Sequence, residues 1–153
     1  MTRTVAILTG DLIGSTEAPP KAVERSMQII ADCAREIGQR TDFTRFQGDG
    51  WQMRLVQPGD CLWACLLVLA RLRTEPNAPG TRIAVGIGEE YPTDAKTLST
   101  AMGPAFTASG RALEQMKPDR LLSLDGPKGS IDAFRKLAFL IAGDLAGRWS
   151  ISQ

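Results

Sequence analysis

The sequence contains no histidine among its 153 residues. This absence excludes Ser-His-Asp and Cys-His catalytic groups, histidine general bases and most catalytic zinc sites. Any catalytic chemistry therefore depends on carboxylates, Arg or Lys, hydroxyls, thiols, or a metal held by oxygen atoms. The sequence also lacks an excess of charge of one sign, because 18 basic residues stand against 17 acidic ones. We therefore expect no nucleic-acid partner bound through a broad basic surface.

Cysteine is scarce, with Cys33, Cys61 and Cys65 as the three examples. Their odd number and apolar helical surroundings predict buried thiols in a reducing compartment rather than a disulfide framework. Long apolar runs are also missing, since the N-terminal run at 5–8 ends at Gly10, too early for a signal peptide or a membrane span. We therefore expect a cytoplasmic protein with no membrane partner. The length and the 43% apolar content predict a single domain over 1–153.

The hydrophobic pattern predicts the order strand, helix, strand, strand, helix, strand, helix, strand, helix. An Asp-Gly pair at 49–50 predicts a hairpin, and Gly38 predicts a helix end. The predicted elements are strands at 5–8, 43–46, 51–55, 82–89 and 120–124, and helices at 23–37, 61–72, 105–116 and 130–145. The first six form the βαββαβ arrangement of ferredoxin-like folds. We expect an α+β fold, with an antiparallel sheet and helices packed on one face.

Two aspartates stand out in this arrangement. Asp11 follows the first strand, and Asp49 occupies the tip of the hairpin. In a βαββαβ sheet the first strand commonly lies beside the hairpin, so the two carboxylates would face one another across neighbouring strands. Such a pair attracts Mg²⁺, which prefers carboxylate and phosphate oxygens. Alternatively, Asp49 is an ordinary turn residue and Asp11 ends a strand.

Other residues suit a bound phosphate. The glycine-containing loop at 14–16 lies between a strand and a helix, where free N–H groups can hold phosphate, or where hydroxyls merely cap the helix. Arg111 can neutralise charge developing on a phosphoryl group, or pair loosely with Glu114 on the surface. Arg45 is either a ligand contact or a solvated strand residue. Glu89 is either an extra carboxylate or an exposed strand-end acid.

Four segments, in order, resemble class III nucleotidyl cyclase domains. Residues 11–16, D-L-I-G-S-T, are similar to the family's first metal motif, and residues 45–49, R-F-Q-G-D, resemble K-x-x-G-D. Residues 82–89, R-I-A-V-G-I-G-E, resemble R-I-G-I-H-T-G-E, and residues 103–111, G-P-A-F-T-A-S-G-R, resemble G-x-x-V-N-x-x-x-R. The resemblance covers roughly residues 5–114.

The resemblance implies a role for each matching residue. Asp11 and Asp49 would hold two Mg²⁺ or Mn²⁺ ions, and Arg111 would stabilise the pentavalent α-phosphate of a nucleoside triphosphate. The 3′-hydroxyl would attack that phosphate and release pyrophosphate, which gives a cyclic nucleotide. The triphosphate would lie in the loop formed by Leu12, Ile13, Gly14, Ser15 and Thr16. The resemblance also implies a homodimer, with metal residues from one chain and the arginine and base-reading residues from the other.

This sequence departs from the family pattern at two positions. Thr107 replaces the asparagine whose amide positions the ribose, and Arg45 replaces a lysine with a planar, forked cation. Arg45 and Thr100 occupy the positions at which the family reads the base. Scattered segments, including residues 149–153, also resemble the SatD-like group of bacterial, cyclase-related proteins.

Three hypotheses follow for the function. The chain is a metal-dependent homodimeric nucleotidyl cyclase, a cyclase-like module that binds a nucleotide or metal without catalysis, or a purely structural or interaction domain. Loss of nucleotide turnover on Asp49→Ala would favour the first, and saturable binding without product would favour the second.

Overall fold

The structure is a computed structural model that describes residues 2–38, 41–46, 48–92, 97–129 and 132–149, with only the backbone at position 134. Five strands form one sheet, and four helices pack on it. The strands are β1 (Arg3–Leu12), β2 (Thr41–Arg45), β3 (Gly50–Leu55), β4 (Thr81–Glu90) and β5 (Leu122–Asp125). The helices are α1 (Pro20–Ile37), α2 (Cys61–Arg73), α3 (Pro104–Glu114) and α4 (Asp132–Gly147). The predicted α+β class and the predicted element order are both confirmed.

The strands lie in the order β2-β3-β1-β4-β5. The strand β1 is central and pairs antiparallel with β3 on one side and with β4 on the other. This register brings the end of β1 beside the start of β3, where Asp11 lies opposite Gly50, and beside the start of β4, where Asp11 lies opposite Arg82. The end of β1 and the starts of β3 and β4 therefore lie side by side at one edge of the sheet.

Alternating side chains along β1 point to opposite sides of the sheet. The first face is the side that bears Leu8, Met53 and Ile83, and its core also includes residues of α1, α2 and α4. The second face is the side that bears Ile7 and Ala84, and α3 packs against it. Hydrophobic burial on the first face therefore provides most of the apolar core.

Two details of the predicted sheet are wrong. The strand β5 runs parallel to β4, so the sheet is mixed rather than antiparallel. The cause is α3, which connects β4 to β5 as a crossover, and a crossover through a helix returns the chain in the same direction. The helices also occupy both faces, because β4 presents Ala84, Gly86 and Gly88 to the second face. A Cβ added at Gly86 would come within 2.2 Å of the Ala105 carbonyl oxygen, so glycine there admits α3.

The three cysteines are free and buried, as predicted. Burial raises the pKa of the Cys33 thiol to about 11 and also raises the pKa of the Cys61 and Cys65 thiols. Among the described helices, none combines the length and the apolar character that a bilayer span requires.

Candidate functional site

Asp11 and Asp49 lie at the same edge of the sheet. Asp11 is the penultimate residue of β1, and Asp49 belongs to the turn between β2 and β3. The backbone connects the two positions directly, because the Leu12 N–H donates to the Asp49 carbonyl oxygen at 3.1 Å. Asp49, in the turn before β3, therefore lies beside the end of β1 that carries Asp11. We call this group, together with Ser15 and Arg82, the acidic edge.

Arg82 is the cation of the acidic edge. Its Nε and Nη2 donate to the two oxygens of Asp11 at 2.7 and 2.8 Å, a bidentate pair in which both side chains are 28% exposed. The hydrogen bond to Asp11 raises the pKa of the Arg82 guanidinium, and the negative charges of Asp11 and Asp49 raise it further. Burial lowers the same pKa, but by less than the hydrogen bond raises it. Arg82 therefore pairs with Asp11, and the negative charge of Asp49 further favours its protonated form.

The loop after β1 contributes a hydroxyl to the acidic edge. Gly14 has a φ of +68°, in the left-handed region that glycine tolerates best. The Ser15 hydroxyl then donates to Oδ2 of Asp49 at 2.5 Å. The Leu12 N–H already donates to the Asp49 carbonyl oxygen, and the Ile13 N–H donates to the Gly80 carbonyl oxygen at 2.8 Å. Any phosphate held by this loop would therefore use N–H groups beyond these two.

The acidic edge suits a divalent cation in its donor chemistry. Carboxylate oxygens are the ligands that Mg²⁺ and Mn²⁺ prefer. The chain places its own cation, the Arg82 guanidinium, against Asp11, which shows that this position favours positive charge. In the described ranges no three His, Cys, Asp or Glu side chains gather as a ready metal cluster. The residues therefore fit a cation shared with a bound phosphate, provided that Arg82 releases Asp11.

Thr107 and Arg111 lie one helical turn apart on α3. Both line a cleft of about 520 Å³ beside the N-terminus of that helix, which we call the α3 cleft. Tyr91, which directly follows β4, also lines it. Arg82 lies at the opposite end of β4, and the eight residue-to-residue steps of extended strand from Arg82 to Glu90 span roughly 26 Å. The structure therefore separates Tyr91 and the mouth of this cleft from the acidic edge of the same chain.

The two predicted base-reading residues make contacts of their own. Arg45 shares the first face with its ladder partner Trp51 and donates through Nη1 and Nη2 to both oxygens of Glu24 on α1, each at 2.8 Å. This pairing raises the pKa of Arg45 and lowers that of Glu24. Thr100 is exposed and donates to the Thr97 carbonyl oxygen at 3.0 Å. The structure brings neither residue to the carboxylates.

The sequence interpretation missed one member of the acidic edge, Arg82, which entered only as the first residue of a motif. It named Ser15 as part of the phosphate loop but did not predict the hydrogen bond from Ser15 to Asp49. The β1–β4 register places Arg82 opposite Asp11, and that register is invisible in local sequence. Residues 150–153, which belong to a segment that resembles the SatD-like group, lie outside the described residues. Gln47 of the hairpin motif also lies outside them.

Comparison with known proteins supports the fold independently. No protein-family model matches the sequence, and no curated protein matches it. Among solved structures, a bacterial light-regulated adenylyl cyclase matches with a TM-score of 0.65 at 18% identity, over 81% of this chain and 43% of that chain. The guanylyl cyclase Cya2 matches with a TM-score of 0.55 at 18% identity, over 81% and 75% of the respective chains. The active GGEEF domain of a diguanylate cyclase from Vibrio cholerae matches with a TM-score of 0.55 at 10% identity, over 84% and 85%.

These structures are neighbours in fold. The chain has a class III nucleotidyl cyclase-like fold, so the fold implied by the sequence resemblance is confirmed. The chain spans less than half the length of the light-regulated cyclase that it matches.

Proposed function

We propose that this chain is a metal-dependent nucleotidyl cyclase, which converts a nucleoside triphosphate to a cyclic nucleotide and pyrophosphate. The observation that supports this function is the acidic edge, where Asp11 at the end of β1 and Asp49 in the turn before β3 lie beside the glycine-containing loop at 14–16. The cyclase-like fold of the chain supports the same reaction class. Because nucleoside triphosphates are the substrates, the proposal places the protein in the cytoplasm, in keeping with its bacterial sequence resemblance.

Asp11 and Asp49 would hold two Mg²⁺ or Mn²⁺ ions together with the phosphates. When bound, these ions would supply Lewis acidity, which lowers the pKa of the attacking hydroxyl and neutralises phosphate charge. Arg82 would release Asp11 and pair with a phosphate oxygen, for which its forked guanidinium is well suited. Ser15 would keep the Asp49 carboxylate oriented through its hydroxyl.

The reaction forms one bond and breaks one bond. The ribose 3′-oxygen bonds to the α-phosphorus, the bond from that phosphorus to the pyrophosphate oxygen breaks, and the hydroxyl proton passes to water. Arg111 would stabilise the charge on the α-phosphate. Thr107 would contact the ribose with a hydroxyl in place of an amide.

The proposed enzyme is a homodimer with the site between its two copies. Tyr91 and the mouth of the α3 cleft lie at the opposite end of β4 from Arg82. A second copy placed with its α3 cleft over the acidic edge would bring Arg111 and Thr107 to the bound nucleotide. Two such sites would form by symmetry.

A second candidate function is a nucleotide- or metal-binding module without catalysis. Three observations favour it: the bidentate ion pair of Arg82 with Asp11, the ion pair of Arg45 with Glu24, and the threonine at position 107. In this case the protein binds a nucleotide or a cation at the acidic edge and releases no product.

The test is turnover of the four common nucleoside triphosphates with Mn²⁺ or Mg²⁺, followed by mass spectrometry of the products. The variant Asp49→Asn removes one carboxylate charge with little change in shape. The matched control is Asp119→Asn, at an exposed position beyond α3. A cyclic nucleotide made by the native and control proteins, and lost in Asp49→Asn, supports the enzyme.

The other outcomes separate the remaining hypotheses. A metal-dependent rise in melting temperature with one nucleotide, without product, supports the binding module. Product formation that survives Asp49→Asn contradicts the role of the acidic edge. If neither turnover nor a melting shift occurs, the likeness to cyclases is one of fold alone.

A further inference from the structure

The outer side of α4 carries several large apolar side chains, together with the exposed ion pair of Asp144 and Arg148. The described residues expose nine large hydrophobic side chains, and four of them belong to this one helix. The four leave between 40% and 56% of their surface exposed: Leu137, Leu140, Ile141 and Leu145. On the opposite side of the helix, Phe139 and Ala146 are buried in the core. We call the four exposed residues the α4 stripe.

We propose that the α4 stripe is an interaction surface for a second copy of this chain, with the two α4 helices packed antiparallel across a two-fold axis. Leu137 and Leu145 lie four residues before and four residues after Ile141. In an antiparallel pair centred there, Ile141 meets Ile141 of the second copy, and Leu137 meets Leu145 of the second copy. Ridges of residues spaced by four are those that interlock in common helix pairs.

The charges beside the stripe match the same arrangement. Lys136, Leu140 and Asp144 follow each other at intervals of four, so they form one flank of the stripe. A two-fold axis between antiparallel helices sets like flank against like flank, so Lys136 approaches Asp144 of the second copy. The centre between positions 136 and 144 is residue 140, only about 1.5 Å along the axis from Ile141. Within its own helix, Lys136 pairs with Asp132 at 3.0 Å, and Asp144 pairs with Arg148 at 2.8 Å. Lys136 and Asp144 stay accessible, at 44% and 53% exposed, so the antiparallel arrangement would join these two pairs to those of the second copy.

A second copy explains this flank better than a lipid surface does. Helices that lie on anionic membranes carry an excess of Lys and Arg on their polar side. Here the flank is balanced, and its cation and anion are complementary to each other in the antiparallel pair. Large apolar patches rimmed by charge mark protein interfaces. The proposal does not rest on the proposed catalytic function, since it uses α4 and no residue of the acidic edge or the α3 cleft.

The first experiment locates the contact by disulfide trapping. Ile141→Cys would meet itself, so it would form a covalent dimer on mild oxidation. Leu137→Cys and Leu145→Cys would each stay uncrosslinked alone, because eight residues separate these positions by about 12 Å along a helix. A disulfide requires Cα atoms within about 7 Å, so an equal mixture of these two variants would crosslink. The native protein is the control, because its own cysteines are buried.

The second experiment measures mass in solution by sedimentation over a range of concentrations. Ile141→Asp would halve the mass of the native assembly. Trp63→Asp, a matched change at a residue of α2 that is 52% exposed, would leave the mass unchanged. Unchanged circular dichroism and melting would show that both variants still fold.

Several results would overturn the proposal. One is a native protein of single-chain mass at every concentration, and another is a native mass that Ile141→Asp leaves unchanged. Efficient self-crosslinking of Leu137→Cys would indicate a parallel pair instead. Failure of the cyclase proposal gives a different signature, since Asp49→Asn tests turnover and leaves the α4 stripe intact.

Discussion

The two faces of the sheet differ in chemistry although they share the same strands. On the first face Trp51, Met53 and Leu55 of β3 are all at most 2% exposed and pack among apolar side chains. On the second face Gln52 and Arg54 of the same strand make polar contacts: Gln52 donates to Thr9, and Arg54 pairs with Asp42 and Glu90. One strand therefore supplies an apolar core on one side and a polar network on the other.

Because of this difference, we expect the residues that stabilise the fold and the residues that bind a ligand to lie on different faces of the sheet. The first face is closed by three helices, so its side chains contribute through burial. The second face is covered by α3 over small residues and ends in the acidic edge, where Asp11 and Arg82 remain 28% exposed. We infer that changes on the first face act mainly on folding, and changes at the edge of the second face act mainly on ligand binding.

Adjacent residues of β3 provide the strongest test of this comparison. We expect Trp51→Ala to lower the free energy of unfolding by about 3–5 kcal/mol, because it opens a large cavity in the core. It also removes the hydrogen bond from Nε1 to the Thr81 hydroxyl at 3.0 Å. The matched change Gln52→Ala loses one hydrogen bond to Thr9 and should cost about 1 kcal/mol. Urea denaturation measures both, and equal losses would contradict the comparison.

The contact between α3 and the second face depends on a close approach at Gly86. A Cβ there would lie 2.2 Å from the Ala105 carbonyl oxygen and 2.5 Å from the Ser109 nitrogen. We expect Gly86→Ala to lower the free energy of unfolding by about 1–3 kcal/mol, because α3 must shift. Gly110→Ala is the control, since a Cβ there meets nothing within 4 Å and alanine favours the helix. If both changes stabilise the protein, the close approach does not matter.

The order of the elements could be predicted from the sequence, and so could the placement of Asp11 and Asp49 at the same edge of the sheet. Local patterns define each strand and helix, and the Asp-Gly hairpin places Asp49 at a strand end. The predicted direction of β5 was wrong because it depends on β5 pairing with β4 across the α3 crossover. The predicted position of α3 was wrong because the face that it covers depends on the close approach of Ala105 to Gly86. Local periodicity carries no information about which face of the sheet a crossover helix covers.

Side-chain pairing at the site could not be predicted for the same reason. Arg82 meets Asp11 only through the register of β1 and β4. Arg45 meets Glu24 only because α1 packs over the end of β2. Both pairs join residues that no local motif connects, so the motifs identified residue types and left their partners open.

The thiols of the first face predict an alkaline loss of stability. Burial raises the pKa of Cys33 to about 11 from the ordinary value of 9.0. The folded chain therefore holds this proton more tightly than the unfolded chain, so the stabilisation is fully present below pH 9 and is lost as the pH rises towards 11. We expect a loss of about 1–2 kcal/mol over that interval. Denaturation at a series of pH values should show a shallower decline in Cys33→Ala, and an identical decline would exclude this thiol as the cause.

The acidic edge should give the smallest effect on folding and a large effect on function. Asp11→Asn removes the charge from a pair that is partly exposed, so we expect the free energy of unfolding to change by less than about 1 kcal/mol. Turnover or metal-dependent nucleotide binding should fall by roughly 100-fold or more, because the carboxylate is lost as a cation ligand. Thermal melting and product analysis on the same preparation measure both quantities. A loss of several kcal/mol with ligand binding intact would assign Asp11 and Arg82 to the stability of the sheet, and the two faces would then no longer differ in role.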